Sequence, residues 1–462
     1  MNILYLNSHD SGRYIQPYGY AVETPRLQRL AETGTLFRDA HCAAPTCSPS
    51  RAGLLTGQSA HGSGMVGLAH RGGKLLHPER HLAHFLKTCG YETVKAGHSH
   101  VGDDHAAHGY TVVGNEDLKD SGATTRFAVD FLRNRPAGGK PFYLDVGYFE
   151  THRIGWLDDG YSQEHDSPKD GDGNPGYVMP PPLLADCPET RRDWLDYRHS
   201  VERLDRHYGR ILDALEEAGL ADDTLVLATT DHGLPKPEMK CQLTHHGTGV
   251  LQIIRFPKGL GRGQVIDALV SHLDFYPTVC ELLGAEAPDW LEGHSLLPLV
   301  RGETAAIREA EVTFHGAFEP KRSVRTKRWN YIRNFAAPQA TVMPNCDAGL
   351  SKTHRMQAGM KERITPAEEL YDLVFDPQER CNLLEKQSVA PEHREAHEDL
   401  KRRLDAWMRE TDDPLLSDDP SVMPLPQQVN TWDQDHPGPG PTEWDTAEWR
   451  RIRKTTPGDR WR

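Results

Sequence analysis

From Asn2 to about Ala310, short β-rich apolar runs alternate with helical segments, and this alternation constrains the fold more than any other feature of the sequence. Such a succession buries both kinds of element in one way: a mixed, mostly parallel sheet sandwiched by helices, an α/β fold. Strands are predicted at Ile3–Asn7, Tyr91–Ala96, Phe142–Tyr148, Thr224–Thr230 and Val250–Phe256. Thr24-Pro25 reads as a cap with Pro at the first helical position, leading into Arg26–Thr33. Helix is also predicted at Ala52–Leu55, Val201–Ala218 (ended by Gly219) and Leu273–Leu283. Around Glu311 the pattern changes to short antiparallel strands, Ser323–Thr326 and Trp329–Arg333, and one amphipathic helix, Pro391–Thr411.

The expected organisation is a catalytic α/β domain over 1–310, a smaller C-terminal α+β domain over 311–414 and a Pro/Trp-rich tail over 415–462. The tail carries Trp432, Trp444, Trp449 and Trp461 and is expected to pack on the body or serve as a homodimer arm. The stretch from His152 to about Thr190 is rich in Gly, Pro and Asp and is expected to form a lid or substrate wall.

Composition narrows the function. Across 462 residues, 53 basic against 67 acidic side chains leave a charge of −14, which argues against a nucleic-acid partner. No apolar run approaches the roughly 20 residues a membrane helix needs. The eight Cys are scattered and form no Cys-x-x-Cys pair, so neither a disulfide framework nor a zinc ribbon is expected. Met-Asn-Ile-Leu-Tyr-Leu is already strand-like, with no basic-then-apolar segment before it, and a cytoplasmic protein with reduced thiols is expected.

In an open α/β sheet, ligands bind beyond the carboxyl ends of the strands. Four polar clusters fall there: His9-Asp10, His98-Ser99-His100, Glu150-Thr151-His152-Arg153 and Asp231-His232. Asp10 and Asp231 offer hard oxygens and His9 and His232 imidazole nitrogens, a set suited to a divalent metal. The alternative is that each Asp caps the next helix and each His packs in the core. A fifth cluster is Cys47-Ser48-Pro49-Ser50-Arg51. A Cys at a helix N-terminus feels the positive end of the dipole, which favours a thiolate or another anionic form, and Arg51 one turn on can point to the same spot. The alternative is a buried Cys acting as a small hydrophobe. His70-Arg71, Asp103-Asp104-His105 and His245-His246 read as loop residues, with His315 a candidate to face the cleft.

Cys47-x-Pro49-Ser50-Arg51, followed by Ala52-x-Leu54-Leu55-Thr56-Gly57, resembles the signature of the sulfatase family. The resemblance extends over nearly the whole chain, through Gly97-His98-Ser99-His100-Val101-Gly102, Gly293 to Pro298 and Glu369-Leu370-Tyr371-Asp372-Leu373. Gly64 to Leu68, His152-Arg153, Gly233-Leu234-Pro235 and Trp407 to Pro414 are similar to the sulfamidase (heparan N-sulfatase) branch. The resemblance implies an alkaline-phosphatase-like fold and the hydrolysis of a sulfate monoester or sulfamate, from a small molecule or a sugar. It implies that Cys47 is oxidised to formylglycine (3-oxoalanine) by a formylglycine-generating enzyme and becomes the nucleophile. Arg51 would stabilise its hydrate. Asp10, Asp231 and His232, with His9 and the group at position 47, would hold one divalent metal. His98, His100 and Lys240 would neutralise the sulfuryl oxygens, and His152 would serve the leaving group.

Three positions depart from the family pattern: His9 replaces an Asp, His232 an Asn and His98 a Lys. Family resemblance implies calcium, but calcium prefers oxygen ligands, and two imidazoles shift the expectation toward Mn, Zn or Fe. Two other functions stay open: a phosphonate monoester or phosphodiester hydrolase on the same scaffold, and an unmodified, non-catalytic binder.

Overall fold

The computed structural model describes residues 1–115, 120–136, 138–153, 173–315, 320–335, 339–340, 346–347, 349–386 and 389–417. Its centre is an eight-stranded sheet. The strands are β1 (Asn2–Ser8), β2 (Thr35–His41), β3 (Glu92–Gly97), β4 (Val112–Val113), β5 (Phe142–Gly147), β6 (Thr224–Thr230), β7 (Gln252–Arg255) and β8 (Gln264–Ser271), in the order β4-β3-β5-β1-β6-β7-β2-β8. β7 runs antiparallel to β6 and β2, and every other pairing is parallel.

Side chains of successive strand residues alternate between two cores. Leu4 and Leu6 join Val94, Leu144 and Val226 on one face, beneath helices Pro25–Thr33, Ser121–Arg133 and Pro188–Glu217. Ile3 and Tyr5 join Tyr143, Leu225 and Ile254 on the other, beneath Cys47–Thr56, Leu82–Thr88 and Phe275–Leu283. Burial on both faces explains why β1 and β6 read as near-continuous apolar runs.

The predicted elements differ from the structure at several points. β2 and β8 were not predicted, because Arg38-Asp39 interrupts the first, where the register also shifts, and the second opens on exposed residues. The predicted strand Val250–Phe256 shortens to Gln252–Arg255. The helix expected from Val201 begins at Pro188; its first half is dense in charge but still buries Trp194, Leu195 and Tyr197. Residues 154–172 of the expected lid and all four tail tryptophans lie outside the described residues. Among the described residues, no helix is long and apolar enough to cross a membrane.

The smaller C-terminal domain has a four-stranded antiparallel sheet of Glu311–His315, Lys321–Arg325, Trp329–Asn334 and Glu368–Asp372. Helix Pro391–Glu410 packs Leu400, Leu404 and Met408 on Val324, Tyr331 and Leu370. Glu379 joins the two sheets: its carboxylate accepts from the His245 backbone N–H at 2.6 Å and from Arg325 Nη2 at 2.7 Å. Just beyond the helix, Asp413 accepts two hydrogen bonds from Arg322, at 2.6 and 2.7 Å, with both side chains fully buried. Removing one member of such a pair strands the other charge away from water. Asp413→Ala is therefore expected to lower unfolding free energy by about 3–5 kcal/mol, measured by urea titration; a change below about 1 kcal/mol would contradict this role.

Candidate active site

The parallel strands all present their carboxyl ends to one edge of the sheet, and the loops there meet around Asp10 and Asp231. Asp10 follows β1 in a left-handed conformation (φ 60°), which short polar side chains tolerate, and its backbone N–H donates to Asp231 Oδ1 at 2.8 Å. Cys47 opens its helix with its thiol buried, 3.9 Å from Asp10 Oδ1 and 3.4 Å from His232 Nε2. The Cys241 N–H donates to Pro45 O at 2.9 Å, and Ser50 Oγ–H donates to the Asp231 carbonyl, so the turn before Cys47 is tied to the loop after β6.

Each carboxylate has its own cation. Lys240 Nζ donates to Asp10 Oδ2 at 2.7 Å, and Arg51 Nη2 to Asp231 Oδ2 at 3.0 Å. Arg51 also donates to Asn7 Oδ1 at 2.6 Å and Ser8 O at 2.8 Å, which fixes its guanidinium across the ends of β1 and β6. Burial by itself raises the Asp10 carboxyl, but Lys240 overrides it and the group sits at about 2. Asp231 is likewise held below the ordinary range, burial being outweighed by His232 and Arg51. Burial pushes Cys47 well above the usual thiol range; Lys240 opposes this and Asp10 and Asp231 add to it. The thiolate expected from the helix dipole is thus not the form favoured: desolvation outweighs the dipole.

The imidazoles turn ring nitrogens toward the carboxylates. His232 Nδ1 lies 2.9 Å from Gly233 O, which can only accept, so the proton is on Nδ1 and Nε2 holds a lone pair. That lone pair faces Asp10 Oδ1 at 3.1 Å, and burial lowers the His232 pKa, keeping the ring neutral. His9 Nδ1 lies 2.7 Å from Asp10 Oδ1 and 3.4 Å from Asp231 Oδ2, while its buried Nε2 has no hydrogen-bond partner among the described residues. Donor atoms of His9, Asp10, Cys47 and Asp231 all lie within 4.8 Å of one another, and all four residues are buried. The oxygen and nitrogen donors of this set fit a divalent metal ion.

His152 Nδ1 donates to Arg153 O at 2.6 Å, leaving Nε2 toward the site, 3.7 Å from Asp10 Oδ2. His98 packs on His9 with ring centres 5.0 Å apart, and His100 lies 5.7 Å from His9. Cys47, Arg51, Asp10, His9, Asp231, His232, Lys240, His152, His98 and His100 share this edge, whereas Glu150 turns away to accept from Ser121. Three neighbours escaped the sequence reading. Asp347 Oδ2 accepts from the Arg153 N–H at 2.9 Å and lies 3.5 Å from His152 Nδ1, but it is 194 residues away with no motif around it. His70, read as a loop residue, meets His100 Nε2 through Nδ1 at 2.8 Å. Asn7, the polar residue near the end of β1, was the one with a signal. His245 and His246 lie apart, bonded to Glu379 and to Tyr14 and Gln378.

Two family models match: Sulfatase over residues 2–285, and N-sulphoglucosamine sulphohydrolase, C-terminal, over 244–347. The N-sulphoglucosamine sulphohydrolase of Homo sapiens is 30% identical over 467 residues, covering 90% of this chain and 91% of its own. An ulvan-active sulfatase of Formosa agariphila is 26% identical over 458 residues, covering 88% and 74%. Among solved structures, BT4656 in complex with its substrate D-glucosamine-2-N,6-O-disulfate superposes with a TM-score of 0.65 at 18% identity, over 89% of this chain and 98% of that one. With a family model matched from β1 through helix Phe275–Leu283 and a relative aligned over about nine-tenths of both chains, the chain belongs to the sulfatase family of sulfuric ester hydrolases.

Proposed function

We propose that this protein hydrolyses a sulfate monoester or sulfamate at residue 47, after oxidation of Cys47 to formylglycine, beside one divalent cation held by Asp10, Asp231 and His232. The observation that carries this reading is the Cys47 thiol, buried 3.4 Å from His232 Nε2 and 3.9 Å from Asp10 Oδ1. A hydrated aldehyde there supplies one hydroxyl to attack sulfur and a second through which the sulfate is released and the aldehyde restored; the thiol has no second hydroxyl.

Charge balance supports an anionic substrate. Asp10 and Asp231 are offset by Lys240 and Arg51, so a divalent cation makes the cluster net positive, matched to a sulfuryl group. Arg51 holds Asp231 and, through it, the wall facing residue 47. On this reading Lys240, His98 and His100 receive the sulfuryl oxygens. His152, with Nδ1–H fixed by a carbonyl, delivers a proton from Nε2 to the departing oxygen or nitrogen. Imidazole at His9 and His232 favours Mn, Zn or Fe as the cation. Similarity to the human sulphohydrolase supports a sulfamate or sugar sulfate substrate. Eight free cysteines suit a reducing cytoplasm, and maturation by a formylglycine-generating enzyme follows from the Cys47 chemistry.

Cys47→Ala is expected to lower turnover of 4-nitrophenyl sulfate by roughly 10⁴-fold or more, the scale of removing a catalytic nucleophile; retained turnover would refute the assignment. Asp231-His232 favours one second reading, a phosphonate monoester hydrolase, and faster cleavage of a phosphonate than of a sulfate monoester would select it. As general acid, His152 matters most for poor leaving groups. His152→Ala should cost about 10²–10⁴-fold on an alkyl sulfate or sulfamate and much less on 4-nitrophenyl sulfate; an equal loss on both would exclude the role. Chelation should abolish activity, with Mn²⁺ or Zn²⁺ restoring more than Ca²⁺; full recovery with Ca²⁺ alone would contradict the ligand argument.

A further inference from the structure

The loop after β3 brings two histidines to His9, and together they form an imidazole cluster to which the single-cation reading assigns no metal. Donor nitrogens of His9, His98 and His100 lie within 4.8 Å of one another. The ring centres are 5.0 Å apart for His9 and His98, 5.7 Å for His9 and His100, and 5.1 Å for His98 and His100. Three imidazoles bound to one tetrahedral ion at about 2 Å hold their ring centres roughly 5 Å apart. Nε2 of His9 and Nε2 of His98 are both buried without a hydrogen-bond partner among the described residues, and these residues are 0% and 5% exposed. Buried ring nitrogens of this kind are normally satisfied. Phe149 packs on both rings, with centres 5.2 Å from His9 and 5.3 Å from His98, and closes one side of the cluster with an apolar wall.

We propose that His9, His98 and His100 hold a second metal ion, of the imidazole-preferring class represented by Zn²⁺. His9 Nδ1 is already engaged by Asp10 and Asp231, so Nε2 is the nitrogen left for this ion. The three-nitrogen set lacks carboxylates, which sets it against Ca²⁺ and Mg²⁺. On the sulfatase reading, on which this functional role rests, the ion supplies positive charge where the family motif has the Lys that His98 replaces. The metal count itself stands independently of that reading.

The test uses the full chain, stripped of metal and reloaded with Zn²⁺, its bound metal counted by mass spectrometry after gel filtration. Wild type is expected to retain two ions and His98→Ala one, since His98 contacts neither Asp10 nor Asp231. With Co²⁺ in place of Zn²⁺, the visible absorption of a four-coordinate, nitrogen-bound ion should be present in wild type and lost from the variant. One ion in wild type, or the same count and spectrum in both proteins, overturns the proposal. Should His98→Ala lack a native near-ultraviolet circular dichroism spectrum, His98→Gln keeps the side-chain volume and is judged by the same two outcomes. Turnover of an aryl sulfate is measured separately. Turnover with one ion keeps the sulfatase reading and removes the second site, whereas two ions without turnover does the reverse.

Discussion

Two buried carboxylates close enough to share a hydrogen-bond network are the constraint around which this fold edge is built. Asp10 and Asp231 descend from neighbouring strands, and the Asp10 N–H already binds Asp231 Oδ1 at 2.8 Å. Such a pair is unfavourable in a low-dielectric site unless cations face it. Arg51 and Lys240 meet that need from opposite directions, one from the helix that begins with Cys47 and one from the loop after β6. Neutralising the carboxylates therefore also fixes residue 47, because Arg51 and residue 47 lie one turn apart on the same short helix. Structure and chemistry are inseparable here: the ion pairs that make the edge stable are the ones that aim residue 47.

The topology explains why distant segments converge. β3, β5, β1 and β6 are adjacent and parallel, so the residues just beyond each strand fall side by side. Residues 9, 98, 152 and 232 are spread over nearly half the chain, yet His9 has ring contacts with His98, His152 and His232. The imidazoles of His9, His98, His152 and His232 make this edge rich in nitrogen donors.

Much of this was legible in the sequence, for stated reasons. Apolar strands buried on both faces announce themselves, and the polar residue that follows each is a ligand candidate by position alone. The Cys47 motif is dense enough to mark its own helix. What could not be read depended on partners remote in the chain. Asp347 contacts His152 and Arg153 only after the C-terminal segment has docked, and Glu379 acquires meaning only through His245 and Arg325. β2 was obscured by Arg38-Asp39, whose charges interrupt an otherwise apolar strand. The protonation of Cys47 was also beyond a local argument: the helix dipole is visible in the sequence, whereas the burial that outweighs it is a property of the whole edge.

The account stands on residue 47 and a cation sharing one coordination sphere with Asp10, Asp231 and His232. A crystal structure of the matured, metal-loaded protein, with anomalous scattering recorded at the metal edge, addresses this directly. The account predicts an anomalous peak bonded to both carboxylates and to His232 Nε2, with an oxygen of residue 47 completing the sphere. A peak elsewhere, or residue 47 turned away from the ion, would contradict it.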